Sequence, residues 1–453
     1  MEQIITEIAG EFIKKMVEVI VSGGKVREIE VSALREAKKC ASELVAVYAE
    51  RIDMAIVSDK TSRREAGCTV ERRGDERKLQ TLVGEVSYRR TYFKKASGGY
   101  EYLADTALGI EKRERVSEGL SLSLVAAAKD MSYGKSSRHI TGGEISRQTV
   151  MGKVRRSSAA DNPPASLRVV PELHIDADEA HITLCGGQKS EVPLISIYEG
   201  VESKGKRNYC KNVFHISEYG KTPDEIWEQA LTEIERRYDL TGTKIYLHGD
   251  GAYWVQTGLE WIPDAVFVLD KYHKNKAIKS MTAGLAGADR KLYDKEIRDS
   301  LATEDLGFVD ELTRSLCAQL PERADKIIES ADYLKRFVSG ISICGKDPGA
   351  NNGGCTEPHV SHILSARLSS RPMAWSKRTL KQFAPVLAAG QITLKAAPAS
   401  EQPVLPASLR NAATSARRAF RRGTVGLPAP DAIGKLPICG KITGTQKLLK
   451  LFA

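Results

Sequence analysis

The chain has 453 residues, 42% of them hydrophobic and 28% charged, with a mean hydropathy of -0.30, which excludes a disordered or fibrous chain and allows roughly two to four domains. No run of about 18 apolar residues occurs, and the N-terminus carries acids where a secretion signal needs bases, so no membrane partner and a cytoplasmic location are expected. The net charge of +10 is segregated: Ser376 to Ala453 holds 13 Lys/Arg against two acids, Glu401 and Asp431, while the remainder holds 55 bases and 56 acids. Such a distribution fits a polyanionic partner, although a solvated tail explains the charge alone equally well.

Residues 1 to about 70 read as helix, because Ile4, Ile5, Ile8, Phe12, Met16, Val19 and Ile20 recur at helical spacing. The period changes over 79–105, where LQTLVGEVSYRRTYF alternates and predicts a strand pair around Gly84. Arg89 and Arg90 interleave there with aromatic residues, a mixture that suits nucleic-acid contact. Helix returns over 115–158, with a Gly-Gly turn and a second helix starting near Ser146. That unit resembles a helix-turn-helix: Arg147 and Gln148 fall where the recognition helix meets base edges, and Lys153, Arg155 and Arg156 suit phosphates. SSAADNPPAS (157–166) reads as a linker.

From Arg168 the pattern is mixed α/β. Strands are expected at LRVVPELHIDAD, PLISIYEGV and NYCKNVFHIS, then a helix from Thr222-Pro-Asp-Glu, which offers an N-cap, a first-turn proline and two early acids. Short strands follow at TKIYLHGD and AVFVLD, a charged helical block spans about 275–345, and a turn-rich loop leads to a helix start at CTEPHVSHIL. The order β-β-β-α-β-α is the opening of a ribonuclease-H-like fold. The expected domains are therefore 1–75 (helical), 76–160 (hairpin and helix-turn-helix-like, DNA-binding), 167–380 (α/β core with a helical insertion) and 381–453 (a basic tail that need not fold).

Three acids stand out by position. Asp178 follows an apolar strand, with Asp176 as its rival; Asp250 follows another, between Gly249 and Gly251; Glu357 sits beside a helix start. Open α/β sheets place sites at strand ends, and hard divalent cations take carboxylate oxygens. Each acid alone also suits a solvated strand end, a turn or a helix cap. Asp270 and His273 follow a further strand, and a His one turn beyond an Asp can order a phosphate or a bound water. Eight scattered cysteines include no Cys-x-x-Cys pair. Cys344, Cys355, His359 and His362 can be drawn as a zinc site, but their spacing is irregular.

The stretches VGEVSYRRTYF, YEYLADTALGI, ISRQTV, HIDADEAHI, GDGAYW, VFVLDKYHKNK and GCTEPHVSHILSARLSSRPMAWS resemble the ISLre-type bacterial insertion-sequence transposases. These are relatives of the Mutator-like DDE enzymes, also filed as an uncharacterised protein family, and the likeness spans about 70–376. The resemblance implies a ribonuclease-H-like core with a helical insertion between the second and third acids. It implies DNA cleavage and strand transfer by two-metal-ion phosphoryl transfer, with Mg²⁺ or Mn²⁺ as cofactor. Asp178, Asp250 and Glu357 would be the metal ligands, and Asp270 and His273 match an Asp-x-x-His element that gives His273 a part in catalysis. Double-stranded DNA, as terminal repeats and target, and a second copy of the chain would be partners. A catalytically inactive DNA-binding relative and a metal-dependent nuclease of the same fold are the alternatives.

Overall fold

A computed structural model of the chain describes residues 2–160, 163–205, 207–371, 373–394, 409, 410 and 414. The basic tail expected over 381–453 lies mostly outside them. The chain divides into two units, Met1–Ser121 with 396–453, and Leu122–Lys395.

The first unit opens with helices α1 (Glu2–Val21) and α2 (Val26–Ser58), separated at Gly23 and Gly24, both at positive φ. Ala49, Ile52, Asp53 and Ile56 bury one stripe of α2 at helical spacing. After α3 (Lys60–Glu65) come β1 (Cys68–Thr81) and β2 (Gly84–Lys95), an antiparallel hairpin turning at Leu82-Val83, then β3 (Tyr100–Glu101) and α4 (Leu103–Ala107). Ile52, Ile56, Cys68, Phe93 and Leu103 form its core. Residues 68–75, expected in the helical region, are strand. Most side chains there are exposed, and the register shifts at Val70/Arg72 and Arg72/Asp75, so the sequence shows no alternation.

Period-two alternation on β2 turns Val86, Tyr88 and Arg90 inward and Ser87 and Arg89 outward. Arg90 is therefore a core residue, not a DNA contact. It pairs with buried Asp105, which also accepts from Tyr88 Oη at 2.7 Å, and its guanidinium lies 3.5 Å from the Tyr102 ring centre.

The division between the units falls inside α5 (Glu118–Asp130). In the second unit α6 (Tyr133–Thr141) ends on Gly142 at φ 68°, and α7 (Arg147–Arg156) starts from Ser146, whose Oγ accepts from Thr149 N at 3.1 Å. Arg147 and Gln148 are exposed, whereas Lys153 is buried beside Val150 and Val154. Arg155 donates to Thr379 Oγ1 at 3.0 and 3.1 Å. Lys153, expected to meet phosphate, is turned inward, and Arg155, half-buried like Arg156, is held by Thr379.

Next come β4 (Ser157–Ala159), β5 (Arg168–Val169), β6 (Glu172–Thr183), β7 (Lys189–Tyr198), β8 (Val201–Lys204), β9 (Arg207–Cys210), β10 (Phe214–Ile216), α8 (Pro223–Glu235), β11 (Tyr238–Asp239), β12 (Lys244–Gly249), α9 (Tyr253–Gln256), α10 (Gly258–Trp261) and β13 (Val266–Leu269). Thr222 and Glu225 cap α8 reciprocally. The main sheet has the order β10-β7-β6-β12-β13; β7 runs antiparallel to both neighbours, while β6, β12 and β13 are parallel. Leu173, Ile175 and Ala177 face a core closed by Ile226, Trp227, Ala230 and Ile234 of α8.

Five helices follow: α11 (Lys271–Thr282), α12 (Gly287–Thr303), α13 (Leu306–Gln319), α14 (Ala324–Arg336) and α15 (Val338–Lys346), which share an apolar cluster with Leu269. After α16 (Thr356–Val360) come a π-helical turn at Ser361–Ser365, α17 (Ala366–Leu368), α18 (Lys377–Ala388) and β14 (Ile392–Leu394). β14 pairs with β4, so 157–159, read as linker, and 381–394, read as tail, are structured: each supplies the other's missing strand. Among the described residues no helix is long and apolar enough to cross a membrane. The chain is mixed α/β.

Arg90→Ala strands the Asp105 carboxylate, and breaking a buried pair costs about 3–5 kcal/mol. Arg89→Ala, on the exposed side of the same strand, should cost under about 0.5 kcal/mol. Urea denaturation of both variants checks the assignment; equal costs would refute the inward placement of Arg90.

Candidate functional site

Hydrogen-bond register brings the acids together. Ala177 pairs with Gly249, and Gly249 pairs with Leu269, across three parallel strands. The next residue on each is an acid: Asp178, Asp250 and Asp270. Asp178 is 8% exposed and Asp270 2%, while Asp250 is half-buried. Each is held locally. Asp178 Oδ1 accepts from Glu179 N at 2.8 Å, Asp250 Oδ1 from Ala252 N at 2.8 Å, and Asp270 Oδ2 from His273 Nδ1 at 3.0 Å.

The glycines beside Asp250 are required by space. A side chain on Gly249 would meet Val255 and the Ala177 carbonyl, and Gly251, at φ 83°, lies under the Phe337 ring. From α14, Tyr333 Oη donates to the Asp250 carbonyl at 2.7 Å. The helical block therefore packs directly on the acid row.

Carboxylates crowded in partial burial give up their protons reluctantly. Burial pushes the Asp178 carboxyl up to about 7, and the charges of Glu179 and Asp250 add to it, against the Glu179 N–H and His273. Glu179 is also raised by burial, though Trp254 Nε1 donates to its Oε2 at 2.7 Å. Burial works against a charged His273, but the Asp270 hydrogen bond and the charges of Asp270, Asp178 and Asp250 outweigh it, and its pKa is raised. The site is a nest of acids with one imidazole inclined to be cationic.

Asp176 is 1% exposed and already committed. It accepts from Tyr198 Oη at 3.1 Å and from Cys355 N at 3.0 Å, and Tyr198 Oη in turn accepts from Gly354 N at 3.0 Å. Of the two rival acids, Asp176 anchors backbone and Asp178 faces the acid row. The loop before α16 is sewn to the sheet along its length: Asp347 accepts from Lys244 Nζ at 2.9 Å and Tyr246 Oη at 2.8 Å, and Asn352 donates to Glu172 at 2.8 Å. That loop delivers α16, which packs on β6, with Glu357 exposed in its first turn. The structure thus brings Asp178, Asp250 and His273 together and sets Glu357 on a helix fastened to the same strand.

Sequence reading missed the polar groups behind the row. His174 Nδ1 and His248 Nε2 are 3.0 Å apart and fully buried, their rings closed over Gly353. Burial lowers both, His248 to about 4. The signal was present as His-x-Asp on two strands, His174/Asp176 and His248/Asp250. The four residues drawn as a zinc site do not meet. Cys344 packs against Tyr246, Val268 and Ala350, and His362 is exposed, because α15 and α16 are separated by the sewn loop.

A family model covers residues 20–396 of the chain, further in both directions than the motifs quoted above. The chain belongs to the uncharacterised protein family UPF0236. A UPF0236 protein of Caldanaerobacter subterraneus subsp. tengcongensis is 34% identical over 388 residues, covering 84% of this chain and 80% of its own. Another from that organism, whose name joins eleven locus designations, is 35% identical over 394 residues, covering 84% and 82%. A UPF0236 protein of Streptococcus gallolyticus, named for its position in a vanSb 3′ region, is 25% identical over 393 residues, covering 83% of each chain.

Asp178 binds its proton more tightly when folded than at its ordinary value of 3.8. Its contribution to stability is therefore fully present below that value and is lost as pH rises through about 7. In metal-free buffer at pH 8, Asp178→Asn should raise Tm by roughly 2–8 °C, at about 2–4 °C per kcal/mol. The difference should shrink toward pH 4. Thermal scans across that range check it, and a variant less stable than the parent at pH 8 would show that Asp178 is not electrostatically strained.

Proposed function

We propose that this chain is a DNA transposase of the DDE class, which cuts the ends of an insertion sequence and joins them to target DNA. The row formed by Asp178 and Asp250, one residue past paired positions of neighbouring parallel strands, carries the reading. The sheet order β10-β7-β6-β12-β13, with only β7 reversed, supports a ribonuclease-H-like core. Helices α11–α15 fall between Asp250 and Glu357, where the resemblance expects an insertion. The names of two relatives join eleven and four locus designations. One protein encoded at many places in a genome is what a mobile element leaves behind.

The donors suit a hard divalent cation. Asp178 on β6 and Asp250 just past β12 offer neighbouring carboxylate oxygens, Glu357 would add one from α16, and the crowded negative charge is what a cation would relieve. Asp178, Asp250 and Glu357 would hold Mg²⁺ or Mn²⁺. Bound there, an ion pair supplies an activated attacking oxygen and offsets charge on the leaving one. The remaining roles belong to the chain. The strand ladder fixes Asp178 and Asp250, and Asp176 and Tyr198 hold the head of α16 so that Glu357 is presented from it. Asp270 orients His273, whose raised pKa favours the cation that would meet a scissile phosphate. Arg147 and Gln148, exposed at the start of α7, are the base-reading candidates, and exposed Arg89 is a phosphate contact. On α2, Val31, Leu34 and Val45 are exposed, an apolar stripe that a second copy would cover.

With Mg²⁺ and DNA carrying the element's terminal repeats, the purified chain should cleave and join strands. Asp250→Asn should reduce both by roughly 10²–10³-fold or more, the scale of a lost transition-state contact, and leave DNA binding intact. A variant that still cuts would eliminate this site. Binding without cleavage by the parent would point to an inactive relative, and nicking without joining to a nuclease. Each phosphate contact adds about −0.9 to the slope of log K against log salt. Arg89→Ala should flatten that slope by about that amount, measured by fluorescence anisotropy; an unchanged slope would remove Arg89 from the interface.

A further inference from the structure

Behind the acid row, on the far side of Asp176, two Cys/His pairs distant in sequence converge. Cys210 and His215 bracket the turn from β9 to β10, with the spacing Cys-x₄-His. Cys355 and His359 stand one helical turn apart at the head of α16, with the spacing Cys-x₃-His. His359 Nε2 lies 3.6 Å from Cys210 Sγ. The Cys210 and Cys355 thiols are neighbours that act on each other electrostatically. The rings of His215 and His359 are 5.2 Å apart, edge to face.

We infer that Cys210, His215, Cys355 and His359 form a structural Zn²⁺ site. Zinc binds sulfur at about 2.3 Å and imidazole nitrogen at about 2.0–2.1 Å with tetrahedral angles, which places a sulfur and a nitrogen ligand about 3.6 Å apart. Two imidazoles bound through Nε2 at that angle hold their ring centres about 5 Å apart. Both values match. The outer contacts match as well. His215 Nδ1 bonds Ser196 Oγ at 2.8 Å, and His359 Nδ1 faces Asp176 Oδ2 at 3.3 Å, out of line for a full hydrogen bond. Each ring thus turns its Nδ1 to an oxygen, leaving Nε2 for a metal, the usual arrangement around a ligating histidine.

Another cluster is tighter. Among the described residues Glu179, His181 and Glu191 have donor atoms within 4.8 Å of one another. Two of these three are exposed, and Trp254 already occupies Glu179. No three of the Cys/His donors lie that close, so the ion would have to draw them in by side-chain rotation. Two thiols and two imidazoles select zinc over hard cations. The ion would staple the β9–β10 turn to the residue two before Glu357.

The inference does not rest on the transposase reading, and its test uses no activity. The full chain, purified without chelator, should carry one zinc per chain by plasma mass spectrometry. Refilled with Co²⁺ alone, it should show the visible bands of tetrahedral cobalt and a thiolate-to-cobalt charge-transfer band. Cys210→Ser and Cys355→Ser should lose the metal, whereas His181→Ala should keep it. His215→Cys should retain cobalt with a stronger charge-transfer band, which separates ligand loss from misfolding. Zinc retained by both serine variants would overturn the site. So would a metal-free parent, including one whose mass shows a Cys210–Cys355 disulfide.

Discussion

Carboxylates one residue past a row shared by parallel strands cannot move apart. Each is pinned by a ladder whose spacing is set by main-chain hydrogen bonds, about 4.8 Å between strands, and that ladder puts Asp178, Asp250 and Asp270 on neighbouring strands one residue past a shared row. In water their repulsion would be slight. Here burial of Asp178, with the charges of Glu179 and Asp250 adding to it, holds its carboxyl well above the ordinary carboxylate range. The fold maintains this strained arrangement from both sides. On the opposite face of β6, Leu173, Ile175 and Ala177 lock into the Trp227 core, and across the acids Phe337 and Tyr333 press on the Gly251 turn. Stability is given up at this spot to keep the acids in place.

The same strand carries a second set of polar groups with the opposite character. Glu172, His174 and Asp176 each have a protein partner, in Asn352, His248 and Cys355 N, and His174 Nε2 also faces Glu172 at 3.6 Å. Through them the sheet grips the loop that leads to α16. Backbone donors of Gly354 and Cys355 reach Tyr198 and Asp176, and Gly353 has no side chain because two imidazoles occupy that space. The head of α16, which carries Glu357, is thus positioned by contacts two to five residues before that acid.

Basic residues divide by the same rule of facing. Arg90 and Arg367 have the composition of nucleic-acid contacts and the environment of core residues. The first is paired with Asp105. The second lies between Tyr133, Trp375 and Phe383 and donates to the Ala128 carbonyl at 2.8 Å. A planar guanidinium can satisfy its donors while its flat faces stack on rings, so arginine enters an aromatic core more readily than lysine. What is left outside, Arg89 on β2 and Arg147 with Gln148 on α7, is a smaller set than the sequence displays.

Local chemistry made much of the chain legible. Thr222-Pro-Asp-Glu marks the start of α8, Gly142 and Ser146 mark the turn before α7, and the alternation around Gly84 marks the hairpin. Acids directly after apolar runs marked the ends of β12 and β13 at Asp250 and Asp270, but Asp178, read as a strand end, lies within β6, whose ladder to β7 runs on to Thr183. These features depend on neighbours a few residues away. Tertiary structure decided what depends on distant partners. Asp176 and Asp178 lie on the same face of one strand, and only the arrival of Gly354 and Cys355 makes the first an anchor and leaves the second for the site. Arg89 and Arg90 stand side by side between Tyr88 and Tyr92, so which one faces Asp105 waits on the packing of α4. Cys210 and Cys355 meet only because the loop before α16 is fastened across the sheet, a juxtaposition that no periodicity in one chain can encode.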